Sequence, residues 1–176
     1  MKPDNNLLRL DIGSLTRQPV GFSRDFTFDI PKLQLRPDLE LLNFNGKALA
    51  VRTSKGLLIQ AEFRAEMVTE CVRCLEQFTL PLHPKFNELY AFSPSLASDS
   101  VSVLPEGGLL NLAPLVAEYM LLEVPINPLC RSDCRGLCPE CGENLNQTSC
   151  DHGKGEIDPR FEMLRSLLDK LDESEQ

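Results

Sequence analysis

The chain has 176 residues, 42% of them hydrophobic and 25% charged, enough apolar material for one main core and too much for a disordered chain. Its net charge of −8 is uneven: residues 1–92 hold twelve Lys/Arg against eleven Asp/Glu, whereas residues 93–176 hold six against fifteen. An acidic half cannot supply the clustered Lys and Arg that neutralise phosphates, so any RNA contact must come from the first half, or the second half must face a basic protein.

The opening MKPDNNLLRLD breaks its apolar residues with Asn, Arg and Asp, and no later apolar run reaches bilayer-spanning length; neither a secretory leader nor a membrane span is expected. From Arg24 to Pro31, Phe26, Phe28 and Ile30 alternate with polar residues as in a half-buried strand. Residues 39–52 are apolar around an Asn45-Gly46 pair, which tolerates positive φ and predicts a hairpin turn there. Between Leu57 and Cys71 the odd positions Ile59, Ala61, Phe63, Ala65, Met67 and Cys71 alternate with Gln60, Glu62, Arg64, Glu66 and Glu70. The alternation resumes after Arg73 with Phe78, Leu80, Leu82, Phe86, Tyr90 and Phe92, predicting a long antiparallel hairpin, its second strand at an edge or broken around His83 by Pro81 and Pro84.

Residues 93–108, rich in Ser, Pro and Gly, read as a mobile loop without core residues. Leu112, Leu115, Val116, Tyr119, Met120 and Glu123 then recur at helical spacing, with Asn111 as N-cap, Pro114 in the first turn and Pro125 as the stop. A last helix is expected from Asp158-Pro159, with Phe161, Leu164, Leu167, Leu168 and Leu171 along one side. The expected fold is α+β: an antiparallel sheet with a long central hairpin, a packed amphipathic helix, a cysteine-rich segment and a terminal helix. The corresponding divisions are 1–127, 128–153 and 154–176.

Five of the seven cysteines fall between 130 and 150, a pattern that suits metal binding in the reducing cytoplasm better than a disulfide framework. At the centre stands Cys138-Pro139-Glu140-Cys141-Gly142: two thiolates three positions apart can face one cation, Pro stiffening the turn and Gly admitting positive φ. A structural Zn2+ takes four N or S ligands, and spacing favours Cys134, Cys138, Cys141 and Cys150. Cys130 competes for the place of Cys134 or Cys150, and His152 is a further alternative. Surplus thiolates argue for a closed structural site rather than a catalytic one, and the H-x-E or C-x-E segment of a zinc deaminase does not precede the cluster.

Cys71 and Cys74 join the two long strands. With Val72 and Arg73 as a two-residue loop they would be opposite neighbours, near enough for a disulfide or half a metal site, although Val and Arg fit primed turns poorly. Three readings stand: packed thiols, a pair approaching the Cys130 region to share metal, and a thiol oxidoreductase centre, which would call for a helix N-terminus. His83 and His152 lack an evident orienting carboxylate and nucleophile, so no catalytic residue is assigned.

C-V-R-C-L-E-Q-F at 71–78, V-P-I-N-P-L-C at 124–130, D-C-R-G-L-C-P-E-C-G-E-N-L-N at 133–146 and D-P-R-F-E-M-L at 158–164 resemble the bacterial YceD family, in order from about Gly21 onward. Where many relatives end the cluster with C-x-C, this chain has Cys150-Asp151-His152, so that a histidine can take the last place. The resemblance implies a non-enzymatic factor of ribosome biogenesis needed for large-subunit rRNA to accumulate. Its partners would be the large-subunit precursor, a ribosomal protein or rRNA, with no membrane and no small-molecule substrate. The alternatives are an oxidoreductase using Cys71 and Cys74, and a zinc-ribbon interaction module in transcription.

Overall fold

The computed structural model describes residues 6–96 and 102–152. The chain divides into two compact units, one of residues 1–72 and 76–132, the other of residues 73–75 and 133–176.

The first unit is built on strands β1 (Arg9–Asp11), β2 (Ser23–Arg36), β3 (Leu39–Arg52), β4 (Gly56–Glu70), β5 (Gln77–Leu82), β6 (Lys85–Ala91), β7 (Ser102–Val103) and β8 (Leu109–Asn111), with helix α1 at Ala113–Glu123. The main sheet runs β2-β3-β4-β6-β7, with β5 pairing the far end of β4, while β1 and β8 form a small ribbon. The expected α+β class is therefore corrected: the described residues are mostly strand, with α1 their single α-helix. The terminal helix expected from Asp158 lies outside them.

The alternation expected in β4 is present. Ile59, Ala61, Phe63 and Ala65 are buried, and Lys85 and Glu62 meet on the opposite face at 3.0 Å. Its partner is interrupted at His83-Pro84, where the proline offers no amide and the Phe63 N–H bonds the Pro84 carbonyl at 3.1 Å. β5 and β6 are thus two halves of one expected strand.

No hairpin forms at Asn45-Gly46, a second correction. β3 runs unbroken through the pair, Asn45 lying between Asp29 of β2 and Arg64 of β4. Positive φ occurs at Gly46 (147°) within the strand and also at Asn43 (52°), where the β3–β4 register shifts. That extra residue moves the buried set from Leu39 and Leu41 to Phe44, Ala48 and Ala50, since one inserted residue swaps the faces of a strand. Gly46 answers a different need: a Cβ there would lie 2.3 Å from the Glu62 carbonyl oxygen and 2.8 Å from the Phe63 Cα. β2 and β3 are joined instead through Pro37-Asp38.

Phe44 and Phe63 lie 4.9 Å apart in the core, Phe28 meets Phe63 edge-on at 5.7 Å, and Phe86 stacks on Tyr119 of α1 at 4.6 Å. The helix buries Ala113, Val116, Ala117 and Met120. The N-cap position falls on Leu112 rather than on Asn111 as expected, although the Asn111 side-chain oxygen accepts the Ala113 N–H at 3.0 Å. The 93–108 segment is not the coreless loop expected, because Ser102–Val103 adds a parallel strand to β6 and Leu104 packs against the core.

Candidate metal centre

The second unit holds the C-P-x-C-G turn. Its bend follows from local chemistry: the Gly142 N–H bonds the Cys138 carbonyl at 2.9 Å with Gly142 at φ 73°, and the Cys138 N–H bonds the Glu143 carbonyl at 2.9 Å. Cys138 is buried, Cys150 half-buried, and Cys141 and His152 exposed; one ligand atom from each lies within 4.8 Å of the other three. The backbone N–H groups of Cys141 and Glu140 face the Cys138 sulfur and lower its thiol to about 7. The hydrogen bond to that sulfur holds the Cys150 thiol up at about 11.

Around this turn, two asparagines replace the apolar core that so short a segment cannot build. Asn144 accepts both the backbone and side-chain N–H of Asn146, each at 2.9 Å. Asn146 accepts the Arg135 N–H at 2.8 Å and donates to the Cys134 sulfur at 3.3 Å. The guanidinium of Arg73 donates to the Cys134 carbonyl at 2.9 Å, and the Arg73 carbonyl accepts the Leu137 N–H at 3.1 Å. Gly136, at φ 78°, leaves room for that approach: a Cβ would sit 3.0 Å from the Arg73 carbonyl oxygen.

The Cys71 connection is more irregular than a two-residue turn, in keeping with the poor fit of Val and Arg to primed turns. It spans 71–76, closed by Cys71 N–H to the Glu76 carbonyl at 2.9 Å, and its left-handed residue is Leu75 at φ 59°. Neither Val72 nor Arg73 has to adopt positive φ. The Val72 N–H instead bonds the Pro128 carbonyl at 3.0 Å, two residues before Cys130. Cys71, Cys74 and Cys134 are buried, and Cys130 is half-buried.

Residues 59–168, a span containing all seven cysteines, match the model of the family described as large ribosomal RNA subunit accumulation protein YceD. The chain belongs to the YceD family. An uncharacterized protein of Mycobacterium tuberculosis is 32% identical over 173 residues, covering 92% of this chain and 81% of its own length. The uncharacterized protein YlbN of Bacillus subtilis is 28% identical over 159 residues, with 88% and 92% covered. The chloroplastic large ribosomal RNA subunit accumulation protein YCED homolog 1 of Arabidopsis thaliana is 31% identical over 77 residues, 44% of this chain and 24% of its own. No solved structure gives a significant match.

In this YceD chain, then, a cysteine-rich group of the second unit could hold a metal ion. Spacing favours Cys134 with Cys138, Cys141 and Cys150; the structure brings Cys138, Cys141 and Cys150 together with His152 and leaves Cys134 outside that group. His83 does not join it.

Proposed function

We propose that this YceD protein is a non-enzymatic ribosome-biogenesis factor that supports accumulation of large-subunit rRNA, acting in the cytoplasm as an adaptor or chaperone for a basic ribosomal protein. Membership of the family described by that accumulation role carries the reading. Charge supports its finer part: an acidic second half suits a basic protein better than naked RNA. The metal in this reading is a structural Zn2+ held mainly by thiolates of the cysteine-rich segment, with no open coordination position for chemistry. Among the described residues no helix is long and apolar enough to cross a membrane.

The oxidoreductase alternative gains no support from the Cys71–Cys74 loop. It connects two strands rather than opening a helix, and so does not use the helix dipole that lowers a redox thiol's pKa.

Depletion of the protein, followed by sedimentation of ribosomal particles and analysis of precursor rRNA, tests the role. The expected result is a deficit of large subunits and large-subunit rRNA, restored by re-expression. Unchanged large-subunit levels would remove the proposal.

A further inference from the structure

We infer that Cys138, Cys141, Cys150 and His152 hold a single zinc ion as a Cys3His site, with Cys134 outside its ligand set. This deepens the metal-held reading above by naming the ligands, and uses residues of the second unit alone.

The geometry is close to that of a loaded site. Tetrahedral zinc with Zn–S of about 2.3 Å and Zn–N of about 2.0–2.1 Å separates its ligand atoms by about 3.3–3.8 Å. The four atoms here, mutually within 4.8 Å, need contract by only about 1 Å, a side-chain adjustment. The backbone of Cys138–Gly142 is already bent by its own hydrogen bonds, so the turn does not have to be organised by the ion. The donor set, three sulfurs and one imidazole, is that of a borderline-soft tetrahedral cation, and four protein ligands close the site.

The unit also has need of such a staple. Among its described residues Cys74, Cys134, Gly136 and Cys138 are buried, while of its leucines Leu137 and Leu145 are only half-buried and Leu75 is exposed. Hydrophobic burial of that size cannot order a segment of this length, whereas a structural zinc supplies folding free energy directly. Cys134 is otherwise engaged: its sulfur takes the Asn146 side-chain N–H at 3.3 Å, and it stands outside the Cys138, Cys141, Cys150 and His152 group. His152 thus takes the fourth place.

The test uses the full chain, purified with zinc and then exchanged with cadmium-113. Metal analysis should show that Cys138→Ser removes one equivalent relative to the parent. The cadmium spectrum of the parent should contain a resonance in the three-sulfur, one-nitrogen range. In His152→Cys, which keeps four ligands and so keeps the fold, that resonance alone should move into the four-thiolate range. A metal-bound parent whose resonances are all four-thiolate, or do not move in His152→Cys, overturns this ligand set and leaves the structural-zinc reading standing. A purified parent that binds no zinc or cadmium overturns both.

Discussion

A Cβ at position 46 would stand 2.3 Å from the Glu62 carbonyl oxygen, and the obstruction is backbone on the neighbouring strand rather than the tip of a flexible side chain. The Phe63 ring also covers this spot, 2.8 Å from the same point. Gly46→Ala should therefore cost about 2–3 kcal/mol, read as a lower urea midpoint with an unchanged m-value. Tyr119 offers a gentler probe. Its hydroxyl donates to Glu88 at 2.7 Å, and this bond, with burial, raises the phenol above its ordinary value of 10.0. A proton held more tightly in the fold than in the unfolded chain stabilises the fold below the unfolded value, and the gain is lost as pH rises through the folded one. Tyr119→Phe, which keeps the stacking on Phe86, should cost about 1 kcal/mol near neutrality and weaken the alkaline loss of stability. Tyr90, raised by its own burial, leaves part of that loss in place. Denaturation curves at several pH values between neutrality and strong alkali check both effects.

Elements differ in where their stability comes from. The β2–β3–β4 meander carries long paired registers over an aromatic core and holds none of the candidate metal ligands. The 133–152 segment instead rests on an asparagine clip, two glycines at positive φ and its sulfur donors. Strong chelation should consequently remove amide protection across residues 133–152 while the β3–β4 amides remain protected, as measured by hydrogen exchange. Loss of protection in both at once would show one cooperative unit. Elements also differ in how legible their sequences are. Period-two alternation in β4 identifies the strand because one face is buried along most of its length. In β3 the same rule fails at Asn43, where a bulge swaps the faces, and the Asn-Gly pair signals a turn although close strand approach and a positive φ inside the strand are what demand the glycine.

Charge is a property of the whole molecule. With the excess of carboxylates confined to residues 93–176, binding to a basic ribosomal protein should weaken steeply with added salt, and naked rRNA should bind poorly at any salt concentration. Pull-downs with large-subunit proteins, compared with filter binding to rRNA over a salt series, check this; salt-insensitive binding to naked rRNA would remove the adaptor reading. By itself the sequence determined the alternating strands, the helix before Pro125, the family and the abundance of soft donors, because these depend on neighbours a few residues apart. It could say that Cys71-x-x-Cys74 and Cys138-x-x-Cys141 are half-sites, since three residues of chain can place two sulfurs on one cation. Only the tertiary structure brings His152, rather than Cys134, close to Cys138, Cys141 and Cys150. Ligands distant along the chain are brought together by strand pairing and loop closure, which the spacing of cysteines does not encode.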